Sequence, residues 1–159
     1  VPEHFHARYS ATGKLYEYHI LNRSERAALL RERAWSVYQP LNVAAMADAA
    51  AVLLGSHDFS SFETAPTDND NPHCRMQQSA LRREGDLIVC SFYADRFLKQ
   101  MVRSLVGTLV DVGRGKRSAS DMDTILKARS RPAAGRTAPP HGLYLVRVDY
   151  DAASVPPVT

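Results

Sequence analysis

Two alternating segments joined by a tight turn constrain this chain more than any other feature of its sequence. They run from Met76 to Arg83 and from Leu87 to Ala94, on either side of Glu84-Gly85-Asp86. Glycine permits the sharp reversal of a hairpin, and alternation over such lengths is typical of strands. The pattern therefore predicts antiparallel strand pairing at the centre of the fold.

The other segments predict three more extended pieces and three helices. The extended pieces are Ala7 to Leu21, Trp35 to Tyr38 and Leu143 to Tyr150. The helices are Val43 to Leu54 capped by Asn42, Arg96 to Val112 capped by Asp95, and Asp121 to Ala128 capped by Ser120. Between them, residues 57–62 predict a compact turn and residues 64–73 a loop. This order predicts an α+β fold with a mixed, mainly antiparallel sheet, helices on one face, and the other face open unless a partner covers it.

Length and composition predict one globular domain over residues 1–150, followed by a flexible Pro-rich tail over residues 151–159. A net charge of +3 and a pI near 9.0 favour a polyanionic partner only weakly. The apolar runs are too short or too often interrupted by charge to predict a membrane span, and no targeting segment is recognisable. Cys74 and Cys90 leave open one disulfide or two reduced thiols, with the thiols favoured.

Arg103 and Tyr16 are the two residues that simple packing explains least well. Arg103 interrupts an apolar helix, so it either extends to solvent or is held rigid to orient a carboxylate across a cleft. Gly107, one turn later, would let another backbone approach at that point. Tyr16 either packs as an ordinary strand aromatic or stacks on a nucleic-acid base.

Other polar groups give weaker signals. His57-Asp58 lacks the glycines of a nucleophile elbow, so a turn-forming Asp58 is favoured. The segment from Val112 to Lys116 lacks the frame of a phosphate-binding loop, although its cations and Arg117 could still contact phosphates. The histidines show no metal-ligand spacing, and no zinc site is predicted.

Four blocks, in this order and spacing, resemble the C-terminal half of the TruA family of tRNA pseudouridine synthases. The first begins Phe5-His6-Ala7-Arg8-Tyr9 and continues to Tyr18, and the second is His57-Asp58-Phe59-Ser60-Ser61-Phe62. The third runs from Asp95-Arg96-Phe97-Leu98 through Met101-Val102-Arg103 to Leu109, and the fourth from Thr137-Ala138-Pro139-Pro140 to Leu145. Together they span nearly all of residues 5–150.

The resemblance implies the pseudouridine synthase fold, here as one of two similar halves that share a central sheet. It also implies the isomerisation of uridine to pseudouridine in the tRNA anticodon arm, without cofactor or metal. The expected partners are tRNA and a second copy in a homodimer or a larger assembly, and the expected location is cytoplasmic or organellar.

The matching positions also carry roles by resemblance. Tyr16 matches the tyrosine that stacks on the target uracil, Arg103 the basic residue that pairs with the catalytic aspartate, and Leu143 the apolar wall of the uracil pocket. The expected RNA-binding residues are Arg8, Lys14, Arg114, Lys116 and Arg117, which should form an electropositive surface on the side of Tyr16.

One departure limits the resemblance. The family's nucleophilic aspartate lies in an Arg-Thr-Asp-Ala-Gly-Val-His type of motif, which this sequence lacks, and Lys99-Gln100 stands where many members carry His-His. Two hypotheses follow. The first is an enzyme half whose aspartate lies on a missing segment, as the start at Val1 suggests, or on another chain. The second is a non-catalytic RNA-binding or ribonucleoprotein assembly module. Retention of Tyr16, Arg103 and Leu143 favours the first, and in both cases this chain alone should not isomerise uridine.

Overall fold

A computed structural model describes residues 11–24, 33–64 and 71–151 of the chain. The strands are β1 (Ala11–Asn22), β2 (Trp35–Val37), β3 (Gly55–Asp58), β4 (His73–Glu84), β5 (Leu87–Ala94) and β6 (Leu143–Tyr150). The α-helices are α1 (Val43–Val52), α2 (Met101–Gly113) and α3 (Asp121–Ala128). Of the predicted tail, only Asp151 lies within the described residues.

The strands form one sheet in the order β2-β1-β5-β4-β3, with β6 also paired to β1. Only the β1–β2 pairing is parallel, and the other four pairings are antiparallel. One edge of β1 pairs with β5, while β6 and β2 share its other edge along successive segments. The predicted α+β class and the mixed, mainly antiparallel sheet are confirmed.

The core lies between one face of the sheet and the helices. Alternate residues of β1 and β5, among them Tyr18, Ile20 and Phe92, are fully buried in the same cluster as the apolar faces of the three helices. Because the side chains of α2 are buried along almost its whole length, this helix forms the centre of the layer on β1. The residues of β1 that point towards α2 are therefore the ones that can contribute to a site at this interface.

The start of α2 corrects a sequence prediction. The helix begins at Met101 and not at Arg96, and Asp95 does not cap it. The Asp95 carboxylate instead accepts a hydrogen bond of 2.8 Å from the backbone N–H of Arg75, which fixes the end of the β4–β5 hairpin. Gln100 precedes the helix with φ of 57°, a left-handed conformation that is incompatible with a right-handed α-helix. The helix therefore cannot begin before this residue.

Two further local predictions were partly wrong. Residues 57 and 58 belong to β3, because their backbone pairs with β4, and the turn follows at Ser60–Phe62. The bounds predicted for α3 are confirmed, but the Ser120 side chain makes no cap hydrogen bond. By contrast, the Asn42 side chain does cap α1 by accepting a 3.0 Å hydrogen bond from the Ala45 N–H.

Both cysteines are buried free thiols, as the favoured alternative predicted. Burial is the largest cause that raises the pKa of each thiol, from an ordinary 9.0 to about 12. In the described parts of the chain, no helix is long and apolar enough to cross a bilayer.

We expect the free energy of unfolding to decrease as the pH rises from about 9 towards 12. A folded-state pKa above the unfolded one means that the unfolded chain loses the proton first, so the stabilisation present below pH 9 is lost above it. Urea midpoints measured between pH 8 and pH 11 check this expectation. The Cys90→Ala variant, which removes the titrating thiol and adds no bulk to this buried position, should show a shallower decrease, and an unchanged slope would exclude Cys90 as a cause.

Candidate active-site face

Tyr16 lies on the helix-facing side of β1 with its ring half-buried. Phe97 packs edge-on against the ring at a centroid distance of 4.9 Å, and Leu145 stands opposite in register on β6, 53% exposed. Burial raises the pKa of Tyr16, so its hydroxyl remains protonated at neutral pH. Among the described residues this hydroxyl has no hydrogen-bond partner, so a partly exposed apolar surface with one available donor remains.

Tyr18, two residues further on, is the buried centre of this face. Its hydroxyl donates a 2.5 Å hydrogen bond to the Pro139 carbonyl, and Leu143 is its register partner on β6. Burial raises the pKa of Tyr18, and the positive charge of Arg103 acts in the opposite direction. Pro139 directly follows Ala138, the residue that binds Arg103, so Tyr16, Arg103 and Leu143 come to one region of the sheet.

Arg103 is half-buried in the first turn of α2 and is fixed by two reciprocal hydrogen bonds. Its Nε donates to the Ala138 carbonyl at 2.8 Å, and its own carbonyl accepts from the Ala138 N–H at 2.9 Å. Within residues 11–24, 33–64 and 71–151, no carboxylate lies within 4.0 Å of the guanidinium. Its two terminal nitrogens therefore remain available for an acceptor from outside this part of the chain.

A glycine on α2 allows the segment that holds Arg103 to approach the helix. A Cβ at Gly107 would overlap the carbonyl oxygen of Arg136 and come within 2.9 Å of its carbonyl carbon. The predicted close backbone approach at Gly107 is thus confirmed. The Gly135 N–H donates a 2.9 Å hydrogen bond to the Thr108 hydroxyl, and the Arg131 guanidinium donates to the Gly135 carbonyl at 2.7 Å. These contacts make the segment 135–139 a rigid support for Arg103.

The predicted RNA-binding residues have different surroundings. Lys14 shares its face of β1 with Tyr16, because both are in continuous register with alternate residues of β5. Arg114 and Lys116 follow α2 and line a pocket beside Trp35. The Arg117 guanidinium lies 3.5 Å from Asp111 and donates a 2.9 Å hydrogen bond to the Ala133 carbonyl, so protein groups already engage it. Arg8 lies outside the described residues.

Several contributors to this face were missed by sequence reasoning. Tyr18 has the same alternation as Tyr16 and could have been found from it, whereas its bond to Pro139 spans 121 residues and has no local signal. Trp35 packs edge-on against Tyr18 at 6.4 Å, and the guanidinium of Arg136 lies 5.3 Å from the Trp35 ring centroid. These contacts extend the site from β1 to β2 and the segment 135–139.

Comparison with known proteins gives the family of this chain. A family model described as tRNA pseudouridine synthase matches residues 49–151, which include Arg103 and Leu143. The chain belongs to this family. The tRNA pseudouridine synthase A of Afipia carboxidovorans is 47% identical over 150 residues, which cover 94% of this chain and 61% of that protein. The enzyme of the same name from Halalkalibacterium halodurans is 48% identical over 143 residues, 90% of this chain and 54% of its own length.

This member of the tRNA pseudouridine synthase family thus spans a little over half the length of the curated relatives that it matches. The described structure fits the family in fold and concentrates polar and aromatic groups on the β1–α2 face. Tyr16 lies outside the range of the family-model match, so its assignment depends on its position beside Phe97 and Tyr18.

Proposed function

We propose that this chain is the C-terminal part of a tRNA pseudouridine synthase and supplies one side of its active site. The observation that carries the proposal is the state of Arg103: held by Ala138 and half-buried, with its terminal nitrogens facing no carboxylate in the described structure. Fixing a guanidinium in this way is useful when a carboxylate has to be oriented against it. The nucleophilic aspartate would come from a segment outside the residues described.

The proposed reaction breaks the bond between the sugar C1′ and uracil N1 and joins C1′ to C5. The C5 proton is released and N1 takes up a proton, so the product is an isomer of uridine. A carboxylate nucleophile needs to be ionised, and an adjacent guanidinium stabilises that form. Arg103 would hold the carboxylate and orient it. Tyr16 would stack on the uracil, while Leu143, packed beside Tyr18, would exclude water from the apolar side of the pocket.

The outer edge of β6 supports the presence of a further partner. Within the described chain β6 pairs only with β1, and its adjacent residues Leu145 and Val146 are 53% and 50% exposed. An edge strand with exposed apolar residues on both faces is a favourable site for another strand. We propose that a second sheet half, or a longer assembly that contains it, covers this edge. A homodimer, tRNA as the substrate and a cytoplasmic or organellar location belong to the same proposal.

The test separates binding from catalysis in the 159-residue chain. We expect it to bind unmodified tRNA but to release no tritium from tRNA labelled at uracil C5. Tyr16→Phe should keep the binding, because the stacking ring remains, whereas Tyr16→Ala should weaken it by roughly tenfold. Tyr93→Ala is the matched control, because Tyr93 is also partly exposed but, in register with Leu15, lies on the opposite face of the sheet from Tyr16.

The results of these measurements distinguish an enzyme half from a non-catalytic RNA-binding module. Tritium release by the chain alone would contradict an aspartate supplied from elsewhere. Equal binding by Tyr16→Ala and the Tyr93→Ala control would remove Tyr16 from the substrate site. If adding the missing half never restores tritium release although both parts fold and bind tRNA, the non-catalytic RNA-binding module becomes the better account.

A further inference from the structure

A basic pocket lies beside Trp35, separate from the apolar surface around Tyr16. It has a volume of about 420 Å³ and is lined by Gln39, Arg114, Lys116 and Arg136. Three of the four lining side chains are cationic, and none of these three forms an ion pair with a carboxylate among the described residues. The nearby Asp111 is already paired with Arg117, so it does not neutralise the pocket.

Trp35 brings two of these cations together. The guanidinium carbons of Arg114 and Arg136 lie 5.9 Å and 5.3 Å from the centroid of the Trp35 ring. The negative face of an aromatic ring attracts cations, but it cannot remove the repulsion between two guanidinium groups at one site. Such an arrangement is completed most favourably by an anion that both cations can contact.

An unpartnered polar atom points to the same conclusion. The Arg114 Nε is buried and has no hydrogen-bond partner in the described structure. Buried donors are almost always satisfied, because an unmade hydrogen bond costs about 1–3 kcal/mol. In a pocket with this lining, an acceptor from a bound anion would satisfy groups that the protein leaves open.

We propose that this pocket is a phosphate subsite that takes a backbone phosphodiester of RNA. Arg114, Lys116 and Arg136 would contact the phosphate oxygens, and the Gln39 amide would add an uncharged donor. Trp35 is only 7% exposed, so it would hold the cations and not stack on a base. The subsite would therefore bind RNA without reading its sequence.

The pocket is connected to the active-site face by direct contacts. Trp35 packs against Tyr18, and Arg136 lies two residues before Ala138, which binds Arg103. Because the Arg136 carbonyl packs against Gly107, a phosphate held by the Arg136 side chain would be fixed relative to Arg103. The RNA source of the phosphate rests on the proposed function, whereas the anion chemistry rests on the pocket alone.

Trp35 is the single tryptophan of the chain, so its fluorescence reports directly on the pocket. Inorganic phosphate should change the emission saturably, and a labelled RNA stem-loop followed by anisotropy should compete with the phosphate. In Arg136→Gln or Lys116→Gln the RNA affinity should fall by about tenfold, as expected when a charge-assisted hydrogen bond is removed. The slope of log affinity against log salt should decrease by about 0.9 for each duplex phosphate that the variant no longer neutralises.

Lys127→Gln is the control, because it removes the same charge from an exposed position on α3. If the pocket variants and this control lower the salt slope equally, the subsite is excluded while RNA binding by the protein stands. If phosphate changes the emission and RNA does not displace it, the RNA source is wrong. If the protein binds no RNA at all, both the RNA subsite and the proposed function are wrong. The Lys116 and Arg136 side chains are both exposed, so their substitution should leave folding unaffected. Thermal unfolding checks this.

Discussion

Replacement of Gly107 by alanine is expected to lower the free energy of unfolding by about 2–3 kcal/mol, the cost typical of overpacking. Alanine favours a helix interior by about 1 kcal/mol over glycine, so propensity alone predicts the opposite sign. Steric overlap should dominate, because the new Cβ would overlap the Arg136 carbonyl, which is backbone and cannot rotate away. Urea unfolding of the two proteins measures the difference.

Gly115→Ala is the matched control for this substitution. Gly115 has φ of +84°, and a Cβ at this position would have no heavy atom within 4 Å, so its replacement tests conformational strain without steric overlap. We expect that variant to lose only about 1 kcal/mol. If Gly107→Ala proves as stable as the original chain, the segment 135–139 does not depend on close approach to α2. Its role in fixing Arg103 would then be wrong.

Local signals were sufficient for most elements of the fold. The hairpin, the Asn42 cap and the bounds of α3 follow from alternation, glycine and helix periodicity, and the structure confirms them. Asp95 shows the limit of such signals. Its sequence context is that of a helix cap. In the structure, however, the carboxylate accepts a hydrogen bond from the Arg75 backbone and does not cap the helix.

The candidate site was predictable only in part. Arg103 was recognisable because a charge within an apolar helix is rare, and Gly107 because it lies one turn away. The pairing of Arg103 with Ala138, the bond from Tyr18 to Pro139 and the position of Arg136 beside Trp35 join segments that are distant in sequence. No periodicity encodes such contacts, so the phosphate pocket could not be predicted from the 114–117 loop alone.

In the assembled enzyme that the proposed function requires, Arg103→Lys is expected to reduce kcat by at least about a hundredfold. Removal of a preorganised electrostatic contact at a reacting centre typically has an effect of this size. Lysine keeps the charge but lacks the planar fork and the Nε–H that donates to Ala138, so the cation is no longer fixed. The tRNA affinity should change little, because the terminal nitrogens are assigned to a carboxylate and not to phosphates.

The dependence of the reaction on pH distinguishes this role from a merely structural one. A guanidinium beside a carboxylate lowers the pKa of that carboxylate, so Arg103→Met should raise it. The acid limb of the kcat profile should then move to higher pH, and the loss of activity should be larger at pH 6 than at pH 8. Arg75→Met, at an exposed position on β4, is the control and should leave the profile unchanged. A uniform loss at all pH values, with reduced thermal stability, would mean that Arg103 only supports the segment 135–139.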